Sequence, residues 1–332
     1  MKRSLRHDRD IRIWVRVDFD ELAETVPMSH PDTGVLAWTS AILGGEITVE
    51  RGLREGGSPW LVRGRSASAV LRVVPLDRPR GAENVATEVA AMRQAAKAGL
   101  PVPEVLGHDD GTATGFALAL TTLLPGSSHI PARPDTGRLR ATGAIAARIS
   151  AVAPGPGAAL PGRSGPIEDF PWARLRHERG ASAILMQAEA AVADATPEDT
   201  RTGLTHGDLW YGNTLWDDSG DLTAVLDWDA AGTGSPGIDL GSVRLDAALC
   251  YGQDAAAEIL AGWQDEAGRP APDLPYWDLV AALATPPDMT WVAPTIADQG
   301  RPDLTGDLLN KRREMFLRAA LAGHQGRAST AA

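Results

Sequence analysis

Residues Leu204 to Asp229 read LTHGDLWYGNTLWDDSGDLTAVLDWD. Asp208 and Asn213 lie five positions apart, a spacing that suits a tight loop aiming both side chains into one cavity. Ser219-Gly220 then makes a hairpin turn, and the short run Thr223 to Leu226 reads as a strand that returns a second carboxylate, Asp227, to the side of that loop. The residue types follow from chemistry. A carboxylate that orients a hydroxyl and takes its proton is a positioned general base, and Asp208 can act so. Magnesium takes hard oxygen ligands, commonly one or two carboxylates beside nucleotide phosphates, and Asn213 with Asp227 offers such oxygens. His206, Asp208, Asn213 and Asp227 thus stand in an order that phosphoryl transfer requires.

His206-Gly207-Asp208-Leu209 with Asn213, followed by Leu226-Asp227-Trp228, resembles the HGDLxxxN-type catalytic loop and IDW-type metal strand of the aminoglycoside phosphotransferase family, the small-molecule branch of the protein-kinase-like fold. Asp239, in GSPGIDL, matches a family aspartate near the start of the next helix that buttresses the loop. The resemblance is strong over residues 204–240 and loose over the rest of 46–320. It implies ATP and Mg2+ as cosubstrate and metal, with Asp208 as base and Asn213 and Asp227 at the metal. With the base role filled, His206 falls to loop support beside Asp239. A Ser/His/Asp hydrolase would instead need a nucleophile on a sharp turn such as GxSxG, which this chain lacks.

At 332 residues the chain can bury a large core and form two lobes or domains. Its apolar runs are far too short for a bilayer span, and the basic start, Met1 to Asp8, leads into no signal-peptide apolar segment, so the cytosol is the expected location. The single Cys250 excludes an intramolecular disulfide and a cysteine-based zinc cluster, and beside Ala247, Ala248 and Leu249 it reads as an inert helical thiol. The net charge of −11 is unevenly placed: residues 201–332 carry 19 acidic against 9 basic side chains. That surplus disfavours nucleic acid or an anionic membrane as partner, and it would either concentrate a cationic substrate or simply keep the protein soluble.

In residues 1–45, Ile11, Ile13, Val15, Val17 and Phe19 alternate with polar neighbours as in a half-buried strand, and Pro27, Pro31 and Gly34 precede an apolar stretch, Val35 to Leu43, with no functional reading. From Glu46 the order is that of a nucleotide lobe. Two strands flank the turn Arg54 to Ser58, where backbone N–H groups at Gly56 and Gly57 and the Ser58 hydroxyl could close over phosphates, as in the family's GGxSN-like loop. The third strand, Ala69 to Val74, sets Arg72 where kinase-like folds carry a lysine, and the helix Glu83 to Ala98 supplies Glu88 to hold it. Arginine departs from the protein-kinase pattern: a planar guanidinium bridges phosphate oxygens but fills a different volume from an ammonium. Phe116 to Leu124 is a buried strand, which the resemblance makes the lobe hinge, with Thr121 to Leu123 meeting the adenine edge through their backbone.

Helices are expected over Thr136 to Val152, Trp172 to Ala193, Asp239 to Ala248, Ala255 to Trp263, Leu274 to Leu283 and Asp307 to Ala322; Lys311-Arg312-Arg313 on the last reads as a solvated patch and His177 as a surface residue. Thr285 to Thr305 reads as a loop. Relatives hold the acceptor with acidic groups from this part of the chain, which nominates Asp288, Asp298 and Asp303, with Trp291 to stack on a ring and Asp229 beside the catalytic loop.

The expected fold is α+β and bilobal, protein-kinase-like, with an extension over 1–45, a small β-rich nucleotide lobe and hinge over 46–126 and a mostly helical lobe over 127–332. The expected activity is transfer of the γ-phosphoryl group of ATP to a hydroxyl of an aminoglycoside-like or other cationic small molecule, with no nucleic acid or membrane partner and with monomer and dimer both open. Macrolides and choline-like or homoserine-like alcohols remain alternative acceptors. A rival of another class is a non-catalytic nucleotide-binding regulator of the same fold. A protein substrate is disfavoured, because the eleven residues between Asp227 and Asp239 leave little room for a peptide platform.

Overall fold

The computed structural model describes residues 30–54, 57–153, 155, 160–168 and 170–331. The strand expected over residues 11–19, and Gly56 of the phosphate turn, lie outside them. The first lobe is a five-stranded antiparallel sheet of β1 (Thr48–Arg54), β2 (Gly57–Arg63), β3 (Ser68–Pro75), β4 (Val105–Asp110) and β5 (Phe116–Thr122), in the order β1-β2-β3-β5-β4. Strand side chains alternate between faces, and each face has its own helix. Leu118 and Leu120 of β5 join Trp60, Val62, Leu71 and Val73 in a cluster closed by Val35 and Trp38 of α1 (Thr33–Leu43). Ala117 and Ala119, the intervening residues, join Val74, Val85 and Val89 under α2 (Gly81–Lys97). The apolar stretch at Val35 therefore has a task, and α1 packs as part of this lobe although sequence order sets it apart with residues 1–45. Its ends are written locally: the Asp32 carboxylate accepts the Gly34 N–H, and Gly44 takes the left-handed conformation after the last turn.

The second lobe holds α3 (Thr136–Ser150), α4 (Trp172–Arg179), α5 (Ala183–Ala193), α6 (Gly237–Tyr251), α7 (Gln253–Ala267), α8 (Leu274–Leu283), α9 (Ala293–Asp298) and α10 (Gly306–Ala331) around one large core. Short strands β6 (Gly203–Thr205), β7 (Thr214–Trp216), β8 (Leu222–Val225) and β9 (Gly232–Gly234) pair as β6 with β9 and β7 with β8. Helices α3 and α7 pack backbone to backbone, since a Cβ on Gly143 would sit 2.0 Å from the Ile259 carbonyl oxygen and one on Gly262 2.1 Å from that of Arg140. Buried inside, Arg244 of α6 makes a two-pronged ion pair with Asp278 of α8 at 2.9 Å on each prong.

Three expectations change. The helical run Trp172 to Ala193 breaks at Gly180, whose φ of 83° ends α4 before α5 begins. The segment Thr285 to Thr305 is not a plain loop: it holds a 3-10 turn at Met289–Trp291 and α9. The basic patch of α10 is structural in two of its three members. Arg313 is 4% exposed and donates to the carbonyls of Pro286 and Pro287, while Arg312 caps the end of α6 through the Leu249 and Cys250 carbonyls.

Candidate active site

β6 delivers the chain into the loop that carries Asp208. At Gly207 the backbone turns left-handed, φ 77°, and a Cβ would lie 2.2 Å from the Ala230 carbonyl oxygen, so no other residue fits between His206 and Asp208. Asp239, in the first turn of α6, holds this turn from below. Its carboxylate accepts the Thr205 hydroxyl at 3.0 Å, the His206 N–H at 2.8 Å and the Gly207 N–H at 2.9 Å. Burial pushes the Asp239 carboxyl up, against those donors and the neighbouring His206. His206 is fully buried; Nε2–H donates to the Leu226 carbonyl at 2.8 Å, which leaves Nδ1 to accept the Asp208 N–H at 3.2 Å. Burial also lowers the imidazole pKa, so the ring is neutral with its tautomer set by these two partners. Both ring nitrogens are committed to backbone, which makes His206 a strut of the loop, as its place in the sequence implies.

Asn213, at the end of the 3-10 turn Tyr211–Asn213, donates its amide N–H to the Asp208 carbonyl at 2.8 Å and to the Asp208 carboxylate at 3.2 Å. The β7–β8 hairpin then returns Asp227, which adopts φ 60° and ψ 65°. A left-handed aspartate is a costly conformation, held here by the Leu226 N–H bond to the Asn213 carbonyl at 2.8 Å on one side and a 3-10 turn at Trp228–Ala230 on the other. Asp208, Asn213 and Asp227 line one pocket together.

Asp227 also lines a second cleft, between the sheet and the β7–β8 hairpin, with Arg72, Glu88, Thr121 and Leu123. Five of the residues expected around the nucleotide and metal therefore meet there. Arg72 lies at the centre of three carboxylates: Nη1 reaches Glu88 at 2.8 Å and Asp227 at 3.2 Å, and Nη2 reaches Asp229 at 2.7 Å. Burial opposes the Arg72 charge, but Glu88, Asp229 and Asp227 more than offset it and raise the pKa further. Two expectations are corrected here. Ser58 does not offer its hydroxyl to this cleft: Oγ donates to the Val73 carbonyl at 3.0 Å and accepts the Val73 N–H at 2.9 Å, taking over the β2–β3 ladder where Pro59 follows and has no N–H. Asp229 belongs to the Arg72 ion-pair group, not to the pocket of Asp208.

That pocket, about 190 Å³, is walled by Phe170, Trp172, Trp210, Leu249, Met289 and Ile296. The other acceptor candidates are absent from its lining. Asp288 caps the 3-10 turn through the Thr290 N–H at 2.9 Å and takes the Asn310 amide at 2.7 Å; Asp303 is joined to Arg301 through both oxygens at 2.8 Å; Trp291 lies beneath Arg179. Local pairing thus uses up Asp288 and Asp303, and Asp298, at the end of α9, is not in the lining either.

The model of the phosphotransferase enzyme family matches residues 50–283. This chain belongs to that family. A viomycin phosphotransferase of Streptomyces vinaceus is 36% identical over 84 residues, 24% of this chain and 28% of that protein's length. Among solved structures, the macrolide 2'-phosphotransferase MphH of Brachybacterium faecium superposes with a TM-score of 0.53 at 23% identity, covering 82% of this chain and 91% of its own. Aminoglycoside phosphotransferase APH(4)-Ia, in a ternary complex with AMP-PNP and hygromycin B, superposes at 0.56 with 19% identity over 86% and 98% of the two chains. The bilobal α+β architecture is thus shared with both groups.

In this member of the phosphotransferase family the apolar wall and one acid of the pocket escaped sequence reasoning. Asp246 stands on α6 with Ser242, Leu245 and Leu249, all facing the pocket at helical spacing. The available signal was an acid seven residues after Asp239 on an otherwise apolar stripe.

Proposed function

We propose that this protein transfers the γ-phosphoryl group of Mg-ATP to a hydroxyl of a small molecule that presents an extended apolar face. The observation that carries the reading is the position of Asp227, which lines both clefts and has Asp208 and Asn213 beside it. A nucleotide in the sheet-side cleft and an acceptor in the apolar pocket would meet at that residue. The Asp208 carboxylate, steadied by Asn213 and by the His206 strut, orients the acceptor hydroxyl and receives its proton as the hydroxyl oxygen bonds to the γ-phosphorus. The bond from that phosphorus to the β-γ bridging oxygen breaks and ADP leaves. Glu88 holds Arg72 at the phosphate end of the cleft, and the Thr121 to Leu123 backbone borders the adenine end.

Asn213 and Asp227 fit a magnesium ion. The Asn213 amide N–H is committed to Asp208, so its carbonyl oxygen is left to a cation, and Asp227 adds a carboxylate, the hard oxygen set that Mg2+ takes beside phosphates. Bound there, the ion would neutralise charge on the phosphates.

The pocket wall favours a macrolide-like acceptor, apolar over most of its area, above a polycation whose ammonium groups would meet Phe170, Trp172 and Met289. The test is acceptor-dependent ADP release with Mg-ATP across macrolides, aminoglycosides, viomycin and apolar amino alcohols, with Asp208→Asn as control. Turnover on an apolar acceptor that is lost in the control supports the reading. Nucleotide binding with no turnover on any acceptor would replace it with the regulatory one.

A further inference from the structure

Asp246 is the pocket residue whose chemistry the proposed transfer does not use. It is 8% exposed, and only one of its carboxylate oxygens has a strong partner: Oδ2 accepts the Tyr211 N–H at 2.9 Å. Oδ1 has the Cys250 thiol at 3.8 Å, a weak donor. No cation pairs with it among the described residues. The two arginines that act on the neighbouring Cys250 thiol are aimed elsewhere: Arg312 donates to the Leu249 and Cys250 carbonyls and Arg301 to Asp303 and the Cys250 carbonyl. Asp239, two turns earlier on the same helix, shows what the fold does with a structural carboxylate, giving it three good donors.

An ionised carboxylate left this poorly solvated is costly, and burial has pushed its pKa up to about 7. A bracing role alone needs no charge, because a neutral amide oxygen would accept the Tyr211 N–H as well. A carboxyl set in a pocket wall with one oxygen poorly partnered, where its charge is costly, points to a ligand that completes it.

We propose that Asp246 anchors the acceptor: its Oδ1 binds the protonated amine of a largely apolar amino alcohol whose hydroxyl lies at Asp208. The proposal rests on the phosphotransferase reading of the same pocket. It refines the acceptor from a molecule with an extended apolar face to an amphiphile with one ammonium group, matching one carboxylate without a cationic partner in an apolar wall.

The test is calorimetric titration of the full chain, with Mg2+ and AMP-PNP, using phenylalaninol and leucinol beside their N-acetyl derivatives, which keep the hydroxyl and apolar body and lose the charge. The wild type should bind each amine about tenfold or more tightly than its N-acetyl partner, as a charge-assisted bond in a desolvated site implies. Asp246→Asn keeps an acceptor for the Tyr211 N–H and should erase the preference by weakening the amine alone. Equal binding of amine and amide by the wild type, failure of both to bind, or a preference that survives in Asp246→Asn would each overturn the proposal. ADP release with Mg-ATP and the same probes separates the two readings. Amine preference without ADP release keeps the anchor and removes the kinase; ADP release without amine preference does the reverse.

Discussion

In the sheet-side cleft proposed for the nucleotide Arg72 is ringed by Glu88, Asp227 and Asp229, whereas in the pocket proposed for the acceptor, which Asp227 also lines, Asp246 stands among aromatic and aliphatic walls with one backbone N–H for support. The first arrangement is paired without a ligand. Each carboxylate has a contact with the one guanidinium, and the negative charge left over from three acids on one base is what a divalent cation carried by a nucleotide would neutralise. The second is incomplete, and a buried charge without a counter-charge stores free energy that a complementary ligand releases. On the proposed function, the same chain prepares for a nucleotide by pairing the acids of one cleft on Arg72 and for its acceptor by leaving one group of the other unsatisfied. Substitutions at the two clefts should therefore differ in sign as well as size.

The largest effect is expected where the clefts meet. Asp208→Asn keeps the bond to Asn213 and the shape of the loop but cannot take a proton, so turnover should fall about 10³-fold while nucleotide affinity and melting temperature hold. Unchanged turnover would remove Asp208 from the chemistry. Next in size is Asp239→Ala, which strips the Thr205 hydroxyl and the His206 and Gly207 N–H groups of their shared acceptor inside the protein. Stability should drop by about 3 kcal/mol or more. A denaturant midpoint within error of wild type would show that the loop has another support.

Asp208 was legible before any coordinates because it sits in a stretch whose spacing is set by local geometry, and Asp239 because it matches an aspartate of the family that the stretch resembles. His206 to Asn213 is one turn-rich loop, and Asp227 returns through a hairpin whose turn is written in Ser219-Gly220. The fold class followed from the family resemblance of the same stretch, and most helix positions from apolar spacing. What stayed hidden was decided by tertiary pairing. Asp288 and Asp303 look free in sequence, yet a 3-10 turn and Arg301 consume them; Arg312 and Arg313 look solvated, yet both are drawn to carbonyls around the end of α6 and Pro286. Ser58 looks like a phosphate contact, yet the proline after it leaves the β2–β3 ladder short of a donor, and its hydroxyl fills the gap. Asp246 was passed over for the opposite reason: an acid on the apolar stripe of a helix is visible in the sequence, but that its partner is missing is not.

Its missing partner should appear in the pH dependence of stability. An ordinary aspartate ionises near ~3.9 and Asp246 at about 7, so between those values the folded protein keeps a proton that the unfolded chain has lost. Stability contributed here is full below the unfolded pKa and declines as pH rises, levelling above about 7. The groups around the carboxyl, the Tyr211 N–H and the Cys250 thiol, do not titrate in that window. Asp246→Asn has no such slope. After allowance for a weaker bond to Tyr211, it should be more stable than wild type by about 2 kcal/mol at pH 8, with the gap closing toward pH 5. Parallel melting curves for the two proteins across that range would mean that the carboxyl is already compensated, and the contrast between the clefts would lose its main support.

The smallest effect tests the other side of the contrast. Arg72→Lys preserves the charge but not the fork: one guanidinium nitrogen serves Glu88 and Asp227 while the other serves Asp229, and a single ammonium on a shorter reach cannot reproduce all three contacts. If the acids of the cleft are paired on Arg72 as described, the variant should lose the Asp229 contact first, with the KM for ATP rising about tenfold, near 1.4 kcal/mol, and kcat changing less. Because the loss is a charge left without its ion pair, Asp229→Asn added to Arg72→Lys should recover part of it, although Asp229→Asn alone should be harmful. A double-mutant cycle measured on both ATP KM and melting temperature reads this coupling directly, about 1 kcal/mol or more for a contact so little exposed. Additive effects would show that Asp229 is not part of the neutralising group, and Arg72 would then be held as an ordinary kinase lysine is, by Glu88 and Asp227 alone.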